Sequence, residues 1–390
     1  MKQSLRIDSG IPRPILLMMI IMAALTVANL HYNVPLLDVI SRDLNTSQVK
    51  ANLITVFTQA GYAMGLLFIV ALGDLYDARR VIVINFVILI LSLLIFAMGR
   101  SIYVLWGAGL VTGLSSVAVQ MYIPMVSKYS LPADKVRHVG YVVSGVTIGV
   151  LLGRVVGGLL GGWIGWRTLY CGAAGLMALS CIAILLYMPP LEASFKGTYR
   201  QLMASILDLV RQYPQLLAKA GASALAFASF NTLWACLAFH MAAPPFYQDS
   251  RIVGLLGLCG IVTAIAVADI GRYVNRVGAK KFNIYGFCIM IAAWAILYFG
   301  GDTYGGIIAG IILIDIGQQC VGVSNQSTAL ALAPQGANRI NTLYMTIFFI
   351  GGSLGTFLAG QGWNYLYWMG VVIAGLLLAA AGLLLVRLKG

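Results

Sequence analysis

The chain repeats itself at an offset of 198 residues, and the repeated positions lie inside long apolar runs. Asn33 matches Asn231, Gly73 matches Gly271, Gln120 matches Gln318, Gly153 matches Gly351 and Gly157 matches Gly355. Asp77 falls on Asn275 in the same register. One gap-free register therefore joins amides and glycines from four segments. Two similar half-molecules standing side by side in lipid satisfy it, as in carriers built from internal repeats.

Composition supplies the solvent. The chain is 60% hydrophobic and 9% charged, with mean hydropathy +0.91, whereas a soluble chain carries about a quarter charged residues. Lipid offers no partner to an open backbone group, so a crossing segment must be a helix or part of a closed barrel. Apolar runs of about 20 residues favour helices over alternating strands of about ten. The expected fold is an all-α membrane protein of about twelve transmembrane helices in two pseudo-symmetric six-helix bundles. The spans are 14–37, 51–72, 80–99, 102–126, 138–162, 166–188, 214–243, 253–273, 281–300, 304–328, 338–361 and 364–387.

The N-terminal bundle is expected over 1–188 and the C-terminal bundle over 214–390. Between them, 189–213 opens with Pro189-Pro190, which ends a helix. It continues with Leu202, Ile206, Leu209 and Val210 near helical spacing. That pattern predicts a cytoplasmic linker with an amphipathic helix on the membrane surface.

A net charge of +13 could suit nucleic acid, but its distribution argues against that partner. With the N-terminus inside, roughly nineteen of the 25 Lys and Arg fall on one side. Arg42, Lys50, Arg100, Arg167 and Arg251 fall opposite. This predicts an even number of spans with both termini cytoplasmic, the basic residues setting orientation and touching anionic lipid. Lys2, Arg6 and Arg13 precede an apolar run too long for a signal-peptide core, so the first helix is read as uncleaved. The six cysteines fall in spans without a CxxC pair and are read as packing residues. No HExxH, Walker A or GxSxG motif supports an enzyme.

Gly145, Gly149, Gly153, Gly157 and Gly161 recur every four residues in the fifth span, and Gly351, Gly352 and Gly355 occupy the matching part of the eleventh. Such a stripe lets another backbone approach closely. It serves either static packing or a rocking seam between the halves, and both readings stand open. Among the ionisable groups within spans, three stand out: Asp315, Arg154 and His31. A charge at a helix centre costs at least about 2.5 kcal/mol and marks a functional site by default.

Several segments resemble the major facilitator superfamily. The stretch from Gly73 through Asp77 to Arg79-Arg80 resembles that family's cytoplasmic loop signature, and Gly271 to Gly278 is its second-half counterpart, with Asn275 and Arg276. The fifth span from Gly149 to Gly162 is similar to the glycine-rich motif of the family's proton-driven antiporters, although Arg154 stands where that motif carries Pro. The stretch from Asp315 to Gly355 is similar to a bacterial branch of drug and metabolite exporters.

The resemblance implies alternating access by a monomer in the bacterial inner (plasma) membrane. It implies Gly73, Asp77, Arg79, Arg80, Gly271, Asn275 and Arg276 as a conformational latch. Spans one, four, seven and ten would line a central cavity, putting Asp315 and His31 on it and Arg154 at its border. Asp315 is then expected to be the proton-titrating carboxylate, with Arg154 and His31 beside it; a static Asp315–Arg154 pair is the competing reading. Candidate walls for a small organic substrate are Asn29, Asn33, Gln59, Tyr62, Gln120, Tyr122, Asn231, Trp234, Gln319, Asn325, Gln326, Tyr344 and Phe348. Their amides offer donors and acceptors and their rings offer flat apolar faces. The expected activity is proton-coupled efflux by antiport, with no cofactor and the proton gradient as energy source. The alternative is a symporter or facilitator importing a small nutrient.

Overall fold

Helix termini are written into the sequence as capping residues. Ser47 accepts from the Lys50 amide, Thr303 from the Gly306 amide, and Thr198 and Gln201 form a reciprocal capping box. Each satisfies an amide that the first helical turn leaves unpaired. The computed structural model describes residues 8, 10–190, 197–263, 265, 277–332 and 337–389. Among them, nine helices are long and apolar enough to cross a bilayer.

Five expected spans are not simple separate rods. The first is the helix Arg13–Ala28, a turn, a 3-10 segment Val34–Leu36 and the helix Leu37–Asp43. Pro35 lacks an amide hydrogen and opposes a continuous helix there. The fourth is Ile102–Ser115 and Val119–Tyr129 around a 3-10 turn, where Ser115 and Ser116 bond back to the carbonyls of Val111 and Thr112. The eighth begins as Ser250–Leu256 and tightens to i→i+3 bonding at Gly257 and Leu258. The eleventh and twelfth join as Ala337–Lys389, turning at Leu366 and Tyr367.

The N-terminal segment, the linker helix and the ends of the second and fourth spans meet at one end of the molecule. The Asp8 amide donates to the Lys128 carbonyl at 3.2 Å, and Tyr199 of the linker helix Tyr199–Gln212 donates to the Phe68 carbonyl at 3.2 Å. We call this the linker end.

The glycine stripe of the fifth span, Lys135–Ile164, packs within the first half. A Cβ on Gly145, Gly149, Gly153 or Gly157 would overlap the backbone of Ile20, Ala24, Ala28 or Tyr32, all in the first span, and one on Gly161 would overlap Leu36. Gly351 and Gly355 of the eleventh span meet the backbone of Ala224 and Ala228 in the seventh span, Pro214–Ala242, within the second half. The faces that meet across the halves lie beside these stripes. Gly158 abuts Ser250 and Gly254 of the eighth span, and Gly352 abuts Gln59 of the second, Gln48–Phe68.

Candidate functional site

Two seams join the halves, and the candidate site lies on both. At the first, one face of the second span carries Gln48, Asn52, Val56 and Gln59, three or four residues apart. Trp363 Nε1 donates to Gln48 Oε1 at 2.8 Å. Asn52 Nδ2 donates to the Thr356 carbonyl at 2.7 Å, and Ser353 Oγ to the Val56 carbonyl at 3.1 Å. Gln59 Nε2 donates to Asn231 Oδ1 at 2.7 Å, and its Oε1 accepts from Thr356 Oγ1 at 3.3 Å. This row runs from the end opposite the linker toward the middle of the molecule.

Aromatic rings continue the row. Tyr62 lies 4.4 Å from Phe349, and Phe348 stacks on Phe227 at 4.0 Å. Gln120 donates to the Tyr62 hydroxyl at 2.8 Å. Phe227, Phe230 and Trp234 follow one another along the seventh span at helical spacing. Of the wall residues read from the sequence, Gln59, Tyr62, Gln120, Asn231, Trp234 and Phe348 come together here. Tyr344 joins them at the edge, its ring 6.5 Å from Phe348.

The others go elsewhere. Asn29 bonds back to its own helix at the Leu25 carbonyl, Asn33 donates to Thr55, and Tyr122 reaches Met22, all inside the first half. Asn325 bonds Asn283 and Ser223 inside the second half, and Gln326 bonds Asn341 nearer the linker end. Gln319 is half-buried.

The second seam holds the charges. Arg154 and Asp315 are 3% and 6% exposed, so both are removed from water. The Arg154 guanidinium carbon lies 3.8 Å from the centre of the Trp234 ring and 5.3 Å from that of Phe230. A desolvated cation over indole is worth about 2 kcal/mol. Asp315 interacts with both Arg154 and Trp234, yet no ion pair within 4.0 Å forms between the two charges.

Three buried polar atoms at this seam make no hydrogen bond within 3.5 Å among the described residues: Arg154 Nε, Trp234 Nε1 and Asp315 Oδ1. Two are donors and one is an acceptor, and each unmet buried group costs about 1–3 kcal/mol. The eighth span borders both charges: Gly257 packs on the Arg154 stem, and a Cβ on Gly260 would lie 3.6 Å from Asp315 Oδ2. These glycines bracket the turn where that helix tightens to 3-10 bonding, a geometry frequent at hinges. His31, half-buried beside Gly153, lies within range of the Arg154 charge. The three ionisable residues read from the sequence are thus neighbours, centred on Arg154.

At the linker end, Asp77 caps its own helix Ala78–Met98 through the Arg79 amide at 3.0 Å, and pairs with exposed Arg80 at 3.7 Å. Arg79 also reaches across to the Leu185 carbonyl at 2.6 Å, and Gly73 rests on Met121. Gly271, Asn275 and Arg276 lie outside the described residues. Among the described residues no group of three His, Cys, Asp or Glu converges as a metal site would. Asp38 and His240, near the opposite end, are buried: Asp38 holds Arg42 at 2.7 Å, and His240 bonds the Gly301 carbonyl at 2.9 Å.

Sequence reasoning passes over Gln48, Asn52, Ser353 and Thr356. Gln48, Asn52 and Gln59 share one helical face, a polar stripe in an apolar span, and that periodicity is the available signal.

Comparison with known proteins places this architecture. A family model described as Major Facilitator Superfamily matches residues 16–356. The uncharacterized transporter YgaY of Escherichia coli O157:H7 is 33% identical over 370 residues, covering 95% of this chain and 94% of that one. A probable transporter of Streptomyces coelicolor is 30% identical over 355 residues, covering 90% and 82%. Among solved structures, the nucleoside transporter NupG superposes with a TM-score of 0.78 at 16% identity, covering 96% of this chain and 98% of that one. An inward-facing, unoccupied bacterial homolog of the human lysosomal transporter Spinster superposes with a TM-score of 0.74 at 15% identity, covering 96% and 95%. The chain is a multi-pass membrane transporter and belongs to the Major Facilitator Superfamily.

Proposed function

We propose that this transporter exports a small, uncharged organic molecule in exchange for protons, with Asp315 as the titrating carboxylate. The observation that carries the reading is the cluster of three unmatched buried atoms at Arg154, Trp234 and Asp315. A permanently matched pair would make a static brace. An acid held near a cation without contact is instead poised between two states, because burial and a neighbouring positive charge act on it in opposite senses. Rocking the second seam about the eighth-span turn changes the Arg154–Asp315 separation, and so couples access to protonation.

The amides and rings of the first seam suit a neutral cargo with hydroxyl groups. Probable sugar efflux transporters of Haemophilus influenzae, 23% identical over 328 residues, are in keeping with efflux and with such a cargo. The basic linker end sets the orientation, with both termini cytoplasmic in a bacterial inner membrane. Asp77, Arg79 and Arg80 brace that end, working with Gly73 as a latch.

Proteoliposomes holding a pH-sensitive dye and an imposed proton gradient test the reading against a panel of neutral mono- and disaccharides. At least one sugar should dissipate the gradient in the wild type. In Asp315→Asn that dissipation should fall at least about tenfold while sugar-for-sugar exchange persists. Equal dissipation by Asp315→Asn removes Asp315 from coupling, and proton movement in the same direction as sugar replaces exchange with symport.

A further inference from the structure

A separate polar cavity lies inside the C-terminal bundle, away from both seams. It encloses about 360 Å³ at the linker end, among spans seven, nine, ten and twelve. Lys219 enters from the second turn of Pro214–Ala242, Lys280 from the first turn of Ala279–Gly300, and Lys389 from the last residue of Ala337–Lys389. Lys280 and Lys389 are exposed at the rim, while Lys219 is half-buried. None of the three has a carboxylate partner within 4.0 Å among the described residues.

Asn283 also lines this cavity and is only 5% exposed. Its Nδ2 donates to Asn325 Oδ1 at 2.8 Å, but its Oδ1 has no partner among the described residues. Asn325 donates in turn to Ser223 Oγ at 3.2 Å, which continues the chain of bonds.

Lys219, Lys280 and Lys389 line one small space with no carboxylate among the described residues to balance them, and an anion held there would meet their charge. The unmet Asn283 oxygen can only accept, so the same ligand must also bring a donor. An anion and a hydroxyl held a few ångströms apart are the chemistry of a glycerol phosphate ester. Basic pockets between membrane helices at a surface take lipid headgroups for the same reason. We propose that this cavity binds a phosphate ester carrying a free hydroxyl, with the phosphate among Lys219, Lys280 and Lys389 and the hydroxyl donating to Asn283. Two sources share that chemistry: the headgroup of phosphatidylglycerol in the adjoining leaflet, and soluble glycerol phosphate.

Binding to the purified full-length protein, read by native mass spectrometry and by the shift in Tm, separates the possibilities. The probes are phosphatidylglycerol, phosphatidylcholine and glycerol 1-phosphate. Phosphatidylglycerol should be retained and should raise Tm, whereas phosphatidylcholine, which lacks both the net charge and the hydroxyl, should do neither. Each Lys→Gln change should weaken binding about fivefold. Arg200→Gln with Arg211→Gln, which removes charge from the linker helix, should weaken it less than about twofold. Displacement of the lipid by millimolar glycerol 1-phosphate, with the same dependence on the lysines, assigns the site to the soluble ester. Equal retention of phosphatidylcholine overturns the proposal, as does phosphatidylglycerol binding that survives Lys219→Gln, Lys280→Gln and Lys389→Gln combined. Should the triple variant not fold, unchanged binding in exposed-rim Lys280→Gln overturns it equally.

Discussion

The two seams between the halves are the same place built twice. The offset of 198 residues carries Asn52 onto Ser250 and Thr356 onto Gly158. The cross-half bond from Asn52 to the Thr356 carbonyl therefore has its twin in the bond from Ser250 Oγ to the Gly158 carbonyl at 3.3 Å. Backbone acceptors match, but the side chains around them are inverted. Gln59 falls on Gly257 and Arg154 on Gly352. At the first seam a large amide on the second span fits against Gly352, and at the second a large cation on the fifth span fits against Gly257. Tyr62 and Val117 of the first half likewise correspond to Gly260 and Asp315 of the second. Duplication preserved the slots, and divergence filled one seam with amides bonded across it, though Asn52 Oδ1 stays unmet, and the other with charges that form no ion pair. A matched seam resists opening; an unmatched one can respond to a proton.

The largest test of that contrast removes the cation. Arg154→Leu leaves Asp315 buried without its counter-charge and should cost about 3 kcal/mol in thermal or denaturant unfolding. Arg154→Leu combined with Asp315→Leu should recover most of the loss; equal or greater destabilisation of the double variant would show that the two charges act separately.

Steric closure comes next. Gly158→Leu must push the eighth span outward, because a Cβ there already overlaps the Ser250 carbonyl and the Gly254 backbone. About 2 kcal/mol of overpacking is expected. Thr356→Ala, at the twin position, should cost less than about half as much. Comparable losses would make the two seams mechanically equivalent.

Breaking the matched seam should have a smaller effect on stability and a visible one on conformation. Gln59→Leu removes the bonds to Asn231 and Thr356, worth about 1 kcal/mol between membrane helices. Cysteine-accessibility labelling near Trp363 should rise as the end opposite the linker loosens. Unchanged labelling would mean that the row does not hold that end shut.

The smallest effect belongs to the surface loop that leads into the second seam. Asp249 caps the eighth-span helix, and its hydrogen bond with Arg251 holds its carboxyl below the ordinary carboxylate range. Because its folded value is depressed, its contribution is complete above the ordinary range and fades as pH falls through the folded value. Asp249→Ala should lose about 1 kcal/mol or less at neutral pH and nothing in strong acid. A loss that persists in acid would assign the effect to packing instead.

Helix type and duplication are legible in the sequence because lipid leaves the backbone one solution per apolar run, and the repeat needs no contact to be seen. Asp315, Arg154 and His31 stand out for the same reason: charge is conspicuous where charge is expensive. The break at Gly257–Leu258 is not marked by any drop in hydrophobicity, whereas Asn29, His31, Asn33 and Pro35 do mark the one in the first span. Nor does the sequence say which face of the fifth-span glycine stripe meets which neighbour, since Gly157 and Gly158 are adjacent yet pack on different halves. The thirteen candidate wall residues are all polar or aromatic within spans, but polarity alone does not tell a bond inside one bundle, as at Asn33, from a bond across the seam, as at Asn231.

The amino-acid sequence by itself determined a twice-built helical membrane carrier and the identity of its buried charges, because hydrophobic length and internal repetition are properties of the chain alone. The tertiary structure decided which charges lie together without touching, which glycines face the opposite half, and where three lysines converge. Those outcomes depend on the rotation of each helix about its own axis, and packing against neighbours distant in sequence sets that rotation.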